Sequence, residues 1–252
     1  MARARLLALA LTAAALPTAA KAGIVATIAE KGGVTTLVTE GNRLRIERGA
    51  EPRQVMIWDG DAQTLYQLDP AGRTYSRISQ DDARKLAEQL QQALAKLPPA
   101  ERARVEEGLK QNAGANRRTT TYEATGAART VAGLACQEYR VLREGKLEEE
   151  GCFVPWGPGA VTKADLAPLV SFGKFMERFL AQAYGAAAER AGGLRIAEEL
   201  DRAPGFPAHV RHVDAEGKAA GEERLTKLER TTVPAERFGV PSGYTKVDAG
   251  PR

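Results

Sequence analysis

The chain has 252 residues, 43% hydrophobic, 27% charged and 6% aromatic, with two cysteines, two histidines and a formal net charge of +4. That length fits one domain or at most two. The basic excess sits at the very start: without Arg3, Arg5 and Lys21 the net charge is +1, which weakens the case for a nucleic-acid partner, since that needs a clustered basic face.

Arg3 and Arg5 precede the apolar run Leu6–Leu16, and Ala20-Lys21-Ala22 follows it. A basic start, a short apolar middle and an A-x-A end make a secretory signal over residues 1–22. Residues 23–252 are then the exported part, read as a single domain. The apolar run is about half of the ~20 residues a membrane span needs, and no later stretch approaches that length, so no integral span is expected. The first cysteine is Cys136, far from the cleavage region, so no lipobox is present. The expected location is the periplasm or the medium. In that oxidising setting Cys136 and Cys152 are read as a disulfide before a metal or redox pair.

From Gly23 to Ile78 the sequence reads as a β-meander. Ile24–Ala29, Val34–Thr39 and Leu44–Glu47 alternate or carry β-branched residues, with Lys31-Gly32-Gly33 and Glu40-Gly41-Asn42 as turns. Val55–Trp58, Thr64–Leu68 and Thr74–Ile78 follow, separated by Asp59-Gly60-Asp61 and Asp69-Pro70-Ala71-Gly72. Aspartates in such turns bond backbone N–H groups two or three residues on.

The period then changes. Ser79 and Asp82 have capping-box spacing, and Ala83, Leu86, Leu90, Leu94 and Leu97 recur at intervals of three and four. This is an amphipathic helix, stopped at Pro98-Pro99, after which a more polar helix runs to about Gln111 and a loop covers Asn112–Asn116. Strand pattern resumes at Thr119–Ala124 and continues in Leu134–Leu142 and Leu147–Pro155. A three-residue loop Arg143-Glu144-Gly145, with Gly145 left-handed, would set Cys136 opposite Cys152, with a bulge at Gly151 adjusting the pair. The competing reading is two unpaired buried thiols.

Thr162 and Asp165 form a second capping pair ahead of the apolar stripe Leu166, Leu169, Phe172, Phe175, Met176, Phe179 and Leu180. Pro168 is tolerated in the first turns, and the helix is expected to end by Gly192-Gly193. Leu194–Leu200 is readable as helix or strand. Phe206–Val213 and Arg224–Thr231 are strands joined by a turn over residues 214–218, and Pro234–Phe238 and Pro241–Tyr244 are irregular. Helices that interrupt a strand-forming chain in blocks argue for an antiparallel α+β architecture.

Trp58-Asp59-Gly60, Leu65-Tyr66-Gln67-Leu68-Asp69, Thr74-Tyr75, Val131-Ala132-Gly133 with Cys136-Gln137-Glu138-Tyr139, and the tail Gly205-Phe206-Pro207 through Val240–Tyr244 occur in this order. In that order they resemble a secreted bacterial family named only as a domain of unknown function, itself similar to the periplasmic lipoprotein carriers of the LolA and LolB type. The resemblance implies a strongly curved antiparallel sheet, an incomplete barrel, covered on its concave side by the inserted helices near 79–111 and 162–191. It also implies an apolar cavity between sheet and helices that accepts acyl chains. No catalytic or ligand residues are established for that family, so none are transferred.

The chemistry-bearing residues are few. His209 and His212 fall on one strand at odd spacing, which sends them to opposite faces, and no cysteine accompanies them to complete a zinc set. Ser76, Ser79, Ser171 and Ser242 lie in no G-x-S-x-G elbow. Asp59, Asp61 and Asp69 are read as turn residues rather than acid–base or calcium groups. Glu148-Glu149-Glu150 is read as a charged strand edge. No cofactor, metal or catalytic set is expected. Phe172, Phe175, Met176, Phe179 and Leu180 are core residues on one reading and face an apolar ligand on the other. The functional expectation is an exported, non-enzymatic binding or carrier protein sheltering a lipid or acyl chain. The alternative is a structural component of the cell envelope with a filled core and a protein partner.

Overall fold

The computed structural model describes residues 22–51, 53–105, 107–108, 119–184, 195–214 and 216–248. The signal segment, the 112–116 loop and the expected helix end near 192–193 lie outside the described residues.

Among the described residues, twelve strands form one sheet. The expected meander is present as β1 (Gly23–Glu30), β2 (Gly33–Glu40), β3 (Arg43–Gly49), β4 (Gln54–Asp59), β5 (Thr64–Asp69) and β6 (Thr74–Ser79). Its turns are built as their aspartates require. Asp59 Oδ1 accepts from the N–H groups of Asp61 and Ala62, and Asp69 Oδ1 from those of Ala71 and Gly72. Helix α1 (Gln80–Lys96) starts at a capping box, with Ser79 Oγ accepting from Asp82 N and the Asp82 carboxylate accepting from Ser79 N. Residues 99–105 are helical again, and the Arg102 guanidinium donates to the carbonyls of Leu94, Ala95 and Leu97 that end α1.

The second half contributes β7 (Thr120–Val131), β8 (Leu134–Arg143), β9 (Lys146–Pro155), β10 (Gly205–Val213) and β11 (Ala219–Thr231), with helices α2 (Ala167–Tyr184) and α3 (Ile196–Arg202) between β9 and β10. The ambiguous 194–200 stretch is thus helical from Ile196 on. Its first residue packs close on α2: a Cβ on Gly173 would come within 2.9 Å of Ile196 Cδ1, so a larger residue there would require the Ile196 side chain to shift. With β12 (Thr245–Lys246) near the C-terminus, the strand order is β12-β6-β5-β4-β3-β2-β1-β11-β10-β9-β8-β7, so the sheet is open at both ends. It nevertheless curls, since β7 returns to β11 across three intervening strands.

The sheet departs from the sequence expectation in three places. Among the described residues, the last strand, β12 (Thr245–Lys246), pairs with β6 in parallel, and every other strand pairing is antiparallel. The segment before it is not loose. Val233, Phe238, Val240 and Tyr244 pack on the row Val38, Val55, Ile57 and Leu68, covering the sheet face opposite the helices. The β8–β9 hairpin also has a shorter turn than expected. Arg143 pairs with Lys146, leaving Glu144 (φ 52°) and Gly145 (φ 75°) as a two-residue loop, and two left-handed residues match the twist of paired strands. A bulge at Glu148, not Gly151, shifts the register, so Glu138 faces Cys152. Cys136 and Cys152 are bonded as diagonal rather than direct neighbours, with Cα atoms 5.4 Å apart. Third, Glu148-Glu149-Glu150 is not at an edge, because β9 lies between β8 and β10. Glu148 and Glu149 pair with Arg143, and Glu150 with Arg211.

Candidate functional site

Two regions gather the residues singled out above. The first is the seam between the helices and the meander. Antiparallel register lines up Leu44, Trp58, Leu65 and Ile78 across β3–β6, and Leu37, Ile46 and Met56 across β2–β4, all on one face. α2 lies over this face. A 3-10 turn, Lys163–Leu166, leads into it and is capped by Thr162, whose Oγ accepts from Asp165 N while Asp165 Oδ2 accepts from Thr162 N at 2.7 Å. The Asp165 carboxylate also receives both Arg230 Nη atoms, at 2.6 and 3.0 Å, which ties this end to β11.

Trp58 is fully buried and Phe175 is 3% exposed. Their ring centroids are 4.7 Å apart, and the Phe172 ring lies 5.9 Å from Trp58. Tilted contacts of this kind add about 0.5–1.5 kcal/mol each to the burial of the rings. The indole N–H donates to Ser171 Oγ at 3.3 Å, so the buried tryptophan leaves no orphan donor. Phe172, Met176 and Phe179 join the same cluster but stay partly exposed. Leu180 is half-buried and packs outside it. Among the described residues, five buried side chains of this seam are surrounded by eight partly buried apolar ones, whereas the cluster containing the disulfide has eleven buried and seven partly buried. The helix–sheet seam is therefore the less completely closed of the two.

The second region is a polar basin of about 260 Å³ on β7–β10, lined by Arg129, Glu138, Arg140, Glu150, His209 and Arg211 together with Thr125. His209 is 12% exposed. The Arg129 guanidinium donates to His209 Nδ1, and His209 Nε2–H donates to Glu222 at 2.6 Å. These partners select the neutral tautomer with its proton on Nε2. The bond from His209 holds the Glu222 carboxyl below the usual carboxylate range, and the Arg224 and Arg129 charges act in the same direction. Arg129 also pairs with Glu138 at 3.0 Å. The hydroxyl of Thr125 donates to the Glu138 carbonyl and accepts from Ala127 N, so it is bound into the register shift of β7 on β8 between Ala124 and Ala128 rather than to the histidine. His212 shares no partner with His209. It lies 3.6 Å from Glu149 and 3.4 Å from Glu223. Burial, with Glu199 and Glu149 nearby, pushes the Tyr122 phenol up to about 12, so it stays protonated at neutral pH. Among the described residues, no three His, Cys, Asp or Glu side chains converge as a metal site. Sequence reasoning did not find this basin. Its arginines and glutamates alternate with neighbours on four separate strands, and each alone looks like ordinary solvated surface.

No protein-family model matches the chain, and no curated protein matches it in sequence. Among solved structures it is similar to an uncharacterized conserved protein from Thermus thermophilus, with a TM-score of 0.43 and 7% identity over 90% of this chain and 91% of that one. It is also similar to MucB, with a TM-score of 0.36 and 11% identity over 90% of this chain and 60% of that one. A third match is the MucA/MucB complex of Pseudomonas aeruginosa, with a TM-score of 0.35 and 13% identity over 88% of this chain and 54% of that one. The chain thus spans little more than half the length of the MucB chains.

Proposed function

We propose that this protein is an exported, non-enzymatic binding protein that takes an apolar chain, such as an acyl chain, into the seam between α2 and the meander. The observation that carries the reading is the incomplete closure of that seam. Leu37, Ile46, Met56 and Ile78 from the sheet and Phe172, Met176 and Phe179 from α2 remain partly exposed around the buried Trp58–Phe175 contact. Fully burying such a side chain stabilises by about 1.5–3 kcal/mol, so an apolar chain laid along the seam gains what the empty protein forgoes. Thioether and aromatic groups adapt to flexible chains. The Cys136–Cys152 bond fits a protein that works outside the reducing cytoplasm.

Protein purified under mild conditions from its native compartment is expected to carry lipid detectable by mass spectrometry and to bind a fluorescent fatty-acid probe. Phe172→Asp, which places a charge on a partly exposed seam position, should weaken probe binding about ten-fold or more. Protein that is consistently empty and blind to the probe overturns the reading.

A second reading is favoured by α1. Only Ala83 and Ala87 of that helix are buried, and Leu86, Leu90 and Leu94 keep part of their surface in water. Those leucines fit a protein partner in the envelope. In-cell crosslinking from Leu90 to one defined protein, with lipid assays blank, selects this reading over the first.

A further inference from the structure

The other flank of α2 carries a feature that the apolar stripe does not explain. Gln63 in the β4–β5 turn and Lys163, Val170, Ser171, Lys174 and Arg178 line a shallow cavity of about 460 Å³. Val170, Lys174 and Arg178 recur at intervals of four, so one helical face presents them. Their charge is poorly balanced. Arg178 donates to the neutral Gln63 amide at 2.6 Å, and Lys174 is exposed. Neither has an acidic partner among the described residues. Lys163 alone is partly neutralised, by Asp201 at 3.2 Å.

This cavity and the seam share a wall. Ser171 lines the cavity, and its Oγ accepts the indole N–H of Trp58, the residue at the centre of the seam. A recess whose Lys174 and Arg178 meet no acidic side chain among the described residues thus lies one side chain away from the partly open apolar surface. Each half of that arrangement suits one end of the same molecule.

We propose that the Lys174–Arg178 recess holds the anionic headgroup of a fatty-acid-like amphiphile whose chain lies in the seam, an inference that rests on the apolar-chain reading above. The two cations are in water-accessible positions, so their contribution comes from direct hydrogen bonds to the headgroup oxygens rather than from long-range attraction, which salt screens. Lys163 and Gln63 bound the recess and limit the headgroup to a compact one.

The test is calorimetric titration of the whole protein with dodecanoate, dodecanol and acetate, in the wild type and in the double variant Lys174→Glu/Arg178→Glu. Wild-type protein is expected to bind dodecanoate about ten-fold more tightly than dodecanol, the size of one charge-assisted hydrogen bond, and acetate far more weakly than either. The double variant should lose the preference for dodecanoate while keeping its affinity for dodecanol, which also reports that it is folded. Equal affinity for the two chains in the wild type, or a preference unchanged by charge reversal, overturns the headgroup site and leaves the seam reading intact. Acetate binding as tightly as dodecanoate overturns the link between recess and seam. Binding of neither chain overturns both proposals together.

Discussion

Asp165 shows how much one side chain can join. It closes the capping box with Thr162 and receives both Arg230 Nη atoms, so it fixes the start of α2 to the sheet. Burial works against its charge, but the bonds from Arg230 and Thr162 outweigh that and hold the carboxyl below its ordinary value. A carboxyl with a lowered folded pKa stabilises the fold above its unfolded pKa, about 3.9, and loses that contribution as pH falls through the folded value. Asp165→Asn is therefore expected to cost about 1–2 kcal/mol near neutrality, the lower part of the range for charged hydrogen bonds. Arg230 is 32% exposed, and solvent screening discounts the pair. Urea unfolding at a series of pH values should show the wild type and the variant converging below about pH 3.9. A difference that persists unchanged to lower pH would assign the effect to packing. The capping role was legible in the sequence, because Thr-x-x-Asp before an apolar run states its own geometry. The Arg230 partner was not, because no local rule joins positions so far apart in the chain.

The β8–β9 hairpin marks the same boundary at the level of an element. Alternation, composition and the presence of two cysteines sufficed to expect both strands and their bond. The register did not follow, because it depended on one residue of turn length. Glu144 and Gly145 together take up the left-handed conformation, and the bulge at Glu148 then moves Cys136 to the diagonal of Cys152. A diagonal in a twisted sheet still brings the Cα atoms to 5.4 Å, within disulfide reach. The sequence separation of 16 residues closes a loop for which chain-entropy estimates give about 3 kcal/mol of stabilisation. Cys136→Ala/Cys152→Ala should lower the unfolding free energy by about 2–4 kcal/mol, read as a shift of the urea midpoint. Mass mapping without reductant should recover both cysteines in one linked peptide. The charged basin next to this hairpin escaped sequence reading for a related reason. Arg129, Glu138 and His209 become neighbours only after β7, β8, β9 and β10 are paired, and each lies on a strand whose own pattern is ordinary.

For the whole molecule the decisive pairing is β1 with β11, where Gly23 meets Thr231 and Ile24 meets Arg230. It is the seam of the strand order: one side is the meander with β12, the other is β7–β11. Periodicity announced the strands but not this junction, since strands read alike whichever partner they take. The tail's return to β6 was hidden in the same way, by its irregular composition and its two-residue strand. The junction is also where the disulfide cluster lies. Ile24 and Ala26 from β1, Leu225 from β11 and both cysteines are buried together, and Leu166, on the short turn leading into α2, plugs into that cluster. Leu166 thus bridges the two halves and anchors the helix that covers the seam. Leu166→Ala is expected to cost about 2–5 kcal/mol, the range for a fully buried leucine. Its effect should also be localised. Amides of β1 and β11, internal and paired on both sides, should be among the slowest to exchange in the wild type. In the variant they should speed up most, with β4 and β5 changing less because their Trp58 and Leu65 pack on Phe175 rather than on Leu166. Hydrogen exchange read by mass spectrometry distinguishes this from its rival. If all strands accelerate equally, the sheet opens as one unit, and Leu166 stabilises the molecule without holding its halves together.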